Sequence, residues 1–175
     1  MALLLCALTF AGVNQFTRPA AAATVYQTPE RFLEEAFAGE TPQTKTLWIT
    51  KRRKEAAHQI LGRNPDVLRQ RYWRLGNQTA WILEEIGKEH PITTGILIDD
   101  NGIQRIRVLI YRENRGQEVR HPFFTKQFEG ATLKSDRTLG RQIDGISGAT
   151  LSVRALKRLA RLALYLHNEA MEAHD

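Results

Sequence analysis

Residues 94–98 and 103–111 form the pattern of an antiparallel β-hairpin. Both runs are rich in β-branched and apolar residues, and the turn between them has the sequence Asp-Asp-Asn-Gly. Asn-Gly supplies the positive φ angles that a tight hairpin turn requires. In the second run Ile106, Val108 and Ile110 occupy alternate positions. We therefore expect them to share the buried face of a sheet whose other face is at least partly wet.

Helix signals frame this hairpin on both sides. Pro29 follows the capping residue Thr28, and Thr50 precedes a run that ends at Gly62; both are typical of helix boundaries. After the hairpin, apolar residues recur every three or four positions over 156–170, which indicates an amphipathic helix. The sequence predicts an α+β domain, with a twisted antiparallel sheet of about four strands framed by helices and a long C-terminal helix. The predicted elements are a helix from 29 to the stop at Gly39, a strand at 47–49, a helix at 51–61, strands at 71–75, 79–84, 94–98 and 103–111, a short helix near 122–128, and the final helix.

The first 23 residues differ in composition from the rest of the chain. An apolar run, residues 2–13, is followed by Pro19 and four alanines. The run is shorter than the roughly 20 apolar residues that a membrane-spanning helix needs, which favours a secretory signal peptide and hence a periplasmic or otherwise exported protein. The first charge is Arg18, so a basic leading region is missing. An uncleaved anchor or a buried helix therefore stays open.

The chain is basic, with a formal net charge of +6, and its Lys and Arg residues are distributed, with stretches at 51–54, 69–74 and 154–161. Dispersed charge favours a solvated basic surface over nucleic-acid binding, and export of the protein also argues against nucleic-acid binding. Docking of the basic surface to an acidic redox partner or to anionic lipid stays open. The single cysteine, Cys6, lies inside the predicted signal peptide, and the five histidines lack ligand spacing. We therefore expect neither disulfides nor a metal site.

Residues 144–150, with the sequence Asp-Gly-Ile-Ser-Gly-Ala-Thr, precede the predicted C-terminal helix. Ser147 is expected to cap that helix, and Gly148 to let a ligand approach the backbone closely. The first amides of the helix then favour a phosphate near the Thr150 hydroxyl. Thr150 has no base arranged beside it, so the pattern predicts an acceptor rather than a catalytic nucleophile. The same residues are also compatible with an ordinary capped helix start.

These seven residues resemble the flavinylation motif Asp-x-x-Ser/Thr-Gly-Ala-Thr of FMN-binding domains. The hairpin resembles the family's Gly-x-Ile/Val-x-Ile-Asp-x-Asp-Gly-x-Ile segment, and Glu113 stands at the Glu of the family's His-x-Glu-Thr-Pro-Gly-x-Gly loop. That loop departs from the family's pattern, since here it is Tyr-Arg-Glu-Asn-Arg-Gly-Gln-Glu. Gln127-Phe128-x-Gly130 matches the family's Gln-Phe-x-Gly. The resemblance covers about residues 91–165. Together with the composition of the first 23 residues and the helix signals that follow, it leads to a division into a signal peptide at 1–23, an N-terminal helical segment at 24–70 and an FMN-binding domain at 71–175.

In the family the last Thr of the motif carries FMN through a phosphoester bond, so the resemblance implies covalent FMN on Thr150. It also implies an ApbE-type FMN transferase as a partner, which takes FMN from FAD and recognises the motif through Asp144. The family includes the C subunit of the Na+-translocating NADH:quinone reductase, the G subunit of Rnf complexes and short soluble periplasmic proteins. The chain is most similar to the last group. The implied function is electron transfer between a membrane-bound redox partner and an acceptor. The alternative is a flavin-free periplasmic binding or interaction module with the same fold. The residues expected to bind the cofactor are Thr150, Asp144, Ser147, Gly148, Ala149, Ser152, Glu113, Gln127 and Phe128, and no catalytic residue is expected.

Several side chains near this region have two interpretations. Glu113 either hydrogen-bonds the pyrimidine edge of the flavin or pairs with Arg112 or Arg115 at the surface. Phe123, Phe124 and Phe128 either pack on the isoalloxazine ring or belong to the hydrophobic core. Arg115 and Arg120 either stabilise the reduced anionic flavin or lie on the solvated surface.

Overall fold

A computed structural model describes residues 23–173, so the predicted signal peptide, residues 1–23, lies outside the described part except for its last residue. The strands are β1 (Thr24–Val25), β2 (Gln43–Trp48), β3 (Arg69–Leu75), β4 (Gln78–Ile86), β5 (Pro91–Asp99) and β6 (Gly102–Tyr111). The α-helices are α1 (Pro29–Ala36), α2 (Lys51–Leu61), α3 (Pro122–Thr125) and α4 (Thr150–Glu172), with short 3-10 turns at Gln117–Arg120 and Lys126–Phe128. The strands form one antiparallel sheet in the order β1-β6-β5-β4-β3-β2.

The predicted α+β fold is confirmed, with six strands in the sheet instead of about four. Strand β2 pairs with β3 along its whole length, although its first four residues are polar. These four residues lack the alternation of apolar and polar side chains that identifies a strand in a sequence. They form one because the backbone groups of the neighbouring strand hold an edge strand in place. Strand β1 has only two residues and pairs with the end of β6. The segment 24–70, predicted to hold two helices and a short strand at 47–49, therefore supplies both edge strands of the sheet, and the predicted strand overlaps β2.

A β-bulge near the end of β6 decides which of its side chains face α4. Two consecutive residues of β5 pair with Val108 and Ile110, so Leu109 is the extra residue;. Beyond the bulge the alternation of faces is inverted. Ile110 packs with the apolar cluster on the far face of the sheet, whereas Tyr111 joins the core beneath α4. The expectation that Ile110 shares a face with Ile106 and Val108 is therefore wrong.

Helix α4 packs across one face of the sheet. Its predicted apolar stripe, including Leu156, Leu159 and Ala163, is fully buried. The shorter α1 covers part of the other face, where Phe32 lies so close to Gly95 that a Cβ there would come within 2.7 Å of the ring. Helix α4 has 23 residues, yet within residues 23–173 neither it nor another helix is apolar over a stretch that would cross a membrane.

Two buried carboxylates tie α4 to the rest of the fold. Glu85 of β4 accepts hydrogen bonds from Arg63 at 2.9 Å and from Arg158 of α4 at 3.2 Å. Glu169 of α4 accepts from two arginines at the start of α2, at 2.6 and 2.8 Å. Three arginines of the basic stretches thus pair with buried carboxylates. The solvated basic surface is therefore smaller than the sequence indicates.

The free energy of unfolding is expected to fall when the pH is lowered from about 7 to about 5, because His167 of α4 is buried and burial disfavours its charged form;. Its Nδ1 lies 2.8 Å from Thr79 Oγ1, which accepts from the Trp81 indole at 2.8 Å. Burial lowers the pKa of His167 below 6.5, against the opposing influence of Asp100 and Asp99. The unfolded chain therefore binds the proton first. The contribution of neutral His167 to the free energy of unfolding is therefore fully present above about pH 6.5. Below that pH it is lost, at up to about 1.4 kcal/mol per pH unit.

Urea unfolding at about pH 7 and about pH 5 measures this loss for the wild type, His167→Asn and His58→Asn. His58 is an exposed histidine of α2 and provides the matched control. His167→Asn should be less stable near neutral pH but should lose less on acidification, whereas His58→Asn should follow the wild type. An equal acid-induced loss in His167→Asn and the wild type would assign the pH dependence to other groups.

Candidate functional site

The site is built around the first turn of α4, which begins at Thr150. A tight turn precedes the helix, closed by a hydrogen bond from the Ala149 amide to the Ile146 carbonyl at 3.0 Å. Gly148 has a φ of 80° in this turn, a value that glycine adopts without strain;. Ala149 occupies the N-cap position, and no side chain of residues 23–173 caps the helix. The prediction that Ser147 caps α4 is wrong, because the turn separates that residue from the helix.

The uncapped start of α4 leaves three amides without a partner inside the helix. The first helical hydrogen bond runs from the Val153 amide to the Ala149 carbonyl at 2.9 Å, so the amides of Thr150, Leu151 and Ser152 have no intrahelical acceptor. They lie at the positive end of the helix dipole. The Thr150 side chain is exposed at the same place. This end of α4 is suited to holding a phosphate next to the Thr150 hydroxyl.

A chain of hydrogen bonds ties the loop after β6 to this first turn. The Tyr111 hydroxyl donates to the Arg115 carbonyl at 2.5 Å and lies 2.8 Å from the Ser152 hydroxyl. Because the tyrosine proton is used on the carbonyl, Ser152 is the donor in the second bond. The buried Ser152 side chain therefore anchors the loop. Sequence reasoning misses Tyr111 as a site residue, since its orientation depends on the bulge in β6.

Gly116 brings this loop into its closest approach to α4. It has a φ of 86°, and a Cβ at this position would lie 2.7 Å from Ser152 Oγ and 3.0 Å from the Tyr111 hydroxyl. Both the left-handed conformation and the available space require glycine. Gly116 corresponds to the first Gly of the family's loop motif. That correspondence is the sequence signal that could have identified Gly116 as a site residue.

Glu113 holds the turn between β4 and β5 against the loop after β6. One carboxylate oxygen accepts hydrogen bonds from the amides of Lys88, Glu89 and His90, the last two at 2.7 and 2.9 Å. Burial opposes ionisation, but the three amide bonds together outweigh it and lower the pKa of Glu113. Within residues 23–173 the carboxylate pairs with neither neighbouring arginine, so of the two interpretations of Glu113 the surface ion pair is wrong. The lowered pKa also makes it a weak base toward Thr150.

Replacing Glu113 by alanine is expected to lower the free energy of unfolding by about 2 kcal/mol, because three amides lose their acceptor. Glu113→Gln should lose less, since its side-chain oxygen still accepts hydrogen bonds. Urea unfolding followed by circular dichroism measures both, with Glu118→Ala as the control because Glu118 is exposed in the next short turn. Equal stability of the two alanine variants would show that the amides exchange their acceptor for water at no cost.

Gln127 connects two of the sequence motifs. Its side-chain oxygen accepts a hydrogen bond from the Asp144 amide at 2.7 Å, which holds the segment that leads to α4. The Asp144 side chain is exposed. Phe128 is fully buried, edge-on to Phe124 with ring centroids 5.5 Å apart, whereas Phe123 is exposed. The core interpretation therefore applies to Phe124 and Phe128.

Three segments enclose a pocket of about 560 Å³ beside Thr150. They are the β4–β5 turn, the loop after β6 and the first turn of α4. A volume of this size is typical of small-molecule and cofactor pockets. Of the predicted cofactor-binding residues, those that line the pocket are Thr150, Gly148, Ala149, Ser152 and Glu113, and those that do not are Asp144, Ser147, Gln127 and Phe128.

Residues 87–165 match the family model of the FMN-binding domain. This part of the chain belongs to the FMN-binding domain family. The match begins at the β4–β5 turn and ends within α4, so it contains all three segments that enclose the pocket. The match supports a flavin-binding protein with FMN as its cofactor. No curated protein and no solved structure matched the chain.

The residues of this FMN-binding domain fit the chemistry of FMN, which combines an anionic phosphate with a planar ring system. The three amides at the start of α4 suit the phosphate. Leu151, 39% exposed at the pocket, offers an apolar surface. A Cβ on Gly148 would meet no atom within 4 Å, so the turn leaves open space for a ligand. The loop after β6 lacks the family's His and Thr-Pro. It still lines one side of the pocket with Glu113, Asn114 and Arg115, and the Tyr111 hydroxyl holds it to α4 through Ser152.

Proposed function

We propose that this protein carries FMN covalently, through a phosphoester bond to the Thr150 hydroxyl, and acts as an electron carrier. The observation that carries the proposal is the position of Thr150, which is exposed in the pocket beside three amides without intrahelical acceptors. A phosphate ester on this hydroxyl keeps a negative charge, which these amides and the helix dipole stabilise. Attachment at this residue also agrees with the flavinylation motif of the family.

Thr150 is proposed to be modified by a separate enzyme, an ApbE-type FMN transferase. The two carboxylates that line the pocket are both engaged, Glu113 by three amides and Glu89 by Lys88 at 3.3 Å. A threonine hydroxyl without an adjacent base is a poor nucleophile. In the reaction the Thr150 oxygen bonds to the flavin-side phosphorus of FAD, AMP leaves, and the hydroxyl proton passes to a base of the transferase. The exposed Asp144 side chain is accessible for recognition by that enzyme.

The loaded protein is proposed to shuttle electrons between a membrane-bound redox partner and an acceptor, in the periplasm or another exported location. FMN exchanges one or two electrons, while the protein supplies binding, orientation and electrostatics. The predicted signal peptide at residues 1–23 supports export. A carrier needs an accessible flavin, and the pocket lies beside exposed residues of α4 and the β6 loop.

Intact-mass spectrometry of the full chain, co-expressed with an FMN transferase in a host that exports proteins, tests the proposal. The expected result is a folded protein heavier by one FMN less one water, with a fluorescent band in a denaturing gel. The same spectrum shows whether the signal peptide has been removed. A folded, colourless and unmodified protein would instead favour a flavin-free binding or interaction module.

A further inference from the structure

We propose that Arg115 is the phosphate-binding side chain of the pocket and makes it select FMN over unphosphorylated flavin. The inference rests on the proposed function and adds a recognition residue to it. Arg115 stands where the family's loop motif has Pro. The charge is therefore a property of this chain and not of the motif.

The Arg115 backbone is held beside the start of α4. Its carbonyl accepts from the Tyr111 hydroxyl at 2.5 Å, and that hydroxyl is bonded to Ser152 in the first turn of the helix. At the next residue, Gly116, a Cβ would lie 3.4 Å from the Ala149 Cα. Consecutive Cα atoms are about 3.8 Å apart. Arg115 directly precedes the residue that approaches the N-terminus of α4, so its side chain begins close to that end of the helix. The side chain lines the same pocket as Thr150.

Of the two cations that line the pocket, Arg115 is the one that pairs with no carboxylate of residues 23–173. Lys88, the other cation lining the pocket, pairs with Glu89 at 3.3 Å. Arg115 is exposed, and its guanidinium makes no ion pair or hydrogen bond to any residue between 23 and 173. A guanidinium presents paired N–H donors that match the oxygens of a phosphate. Together with the α4 amides, it completes a binding site for the phosphate on Thr150.

Titration of the apoprotein, expressed without transferase, with FMN and with riboflavin tests this role by flavin fluorescence. Arg115→Gln should weaken FMN binding about fivefold, the effect expected for one solvent-exposed ion pair, and leave riboflavin binding unchanged. Arg115→Lys should recover part of the loss, because it keeps the charge without the paired donors. Arg120→Gln is the matched control. Arg120 stacks on the Tyr26 ring at 4.6 Å and does not line the pocket, so this variant should bind both ligands as the wild type does.

Unchanged FMN affinity in Arg115→Gln, or equal weakening of FMN and riboflavin, would overturn the inference. If free FMN binds too weakly to titrate, phosphorus NMR of the covalently loaded proteins decides instead. The phosphoester resonance should differ from the wild type in Arg115→Gln and coincide with it in Arg120→Gln. Coincident resonances in all three proteins would exclude the contact.

Failure of the proposed function gives a different result. A wild-type chain that binds FMN but takes no adduct contradicts covalent attachment at Thr150 and leaves the selectivity comparison intact. A loaded wild type with an unaffected Arg115→Gln contradicts only the role of Arg115. A wild-type chain that neither binds FMN nor takes an adduct overturns both proposals.

Discussion

Replacing Thr150 by valine is expected to abolish covalent flavin completely while leaving the fold intact. Valine keeps the β-branched shape of threonine but has no hydroxyl to form the phosphoester. Thr150 is exposed, and its side chain does not cap α4. The free energy of unfolding should therefore change by less than about 0.5 kcal/mol. After co-expression with the transferase, intact mass should show only the unmodified chain, and the denaturing gel should show no fluorescent band.

Thr44→Val provides the control for this experiment. Thr44 is also an exposed threonine, but it lies on the edge strand β2, outside the family match and the pocket. This variant should take the FMN adduct as the wild type does. A fluorescent band retained in Thr150→Val would contradict attachment at that residue. Loss of the band in Thr44→Val would mean that loading responds to threonine replacement in general.

Gly116→Ala is expected to damage both stability and flavin binding, with a loss of about 2–3 kcal/mol in the free energy of unfolding. Two costs add at this position. The residue needs a φ of 86°, and the new Cβ would lie 2.7 Å from Ser152 Oγ. The clash is relieved when the β6 loop moves away from α4 or when Ser152 rotates and gives up its hydrogen bond to Tyr111, and either change loosens the loop beside the pocket. FMN affinity and transferase-dependent loading should therefore fall together with the urea midpoint.

Gly130→Ala separates these two costs. Gly130 also has a positive φ, 72°, but the nearest atom to a Cβ there would be the flexible end of Arg141, at 3.7 Å. This variant should therefore lose only the conformational cost, about 1 kcal/mol, and keep its flavin binding. If Gly116→Ala and Gly130→Ala lose equal stability, the close approach to Ser152 does not constrain the site.

Features encoded by a few neighbouring residues could be predicted well from the sequence. Helix α2 has the predicted bounds, because Thr50 and Gly62 cap it locally. The β5–β6 hairpin forms around its Asn-Gly turn;. The motif at 144–150 lies before α4 as expected, and the family match at 87–165 agrees with the resemblance found over about 91–165.

Features that depend on contacts between distant segments could not be predicted in the same way. Strand β2 has no alternating pattern of its own and is held by pairing with β3. The role of Glu113 depends on a turn more than 20 residues earlier in the chain. Ser147 has the right chemistry for a cap, but the turn at Gly148 closes before the helix begins.

By itself, the sequence determined the α+β class and the residue that is the candidate for FMN attachment, because capping, alternation and a contiguous motif are local properties. Only the tertiary structure decided how the pocket around Thr150 is enclosed. The bulge at Leu109 turns Tyr111 toward Ser152, and that contact places Gly116 and Arg115 beside α4. These positions follow from strand register and from packing between segments that lie far apart in the chain, which a pattern of neighbouring residues does not contain.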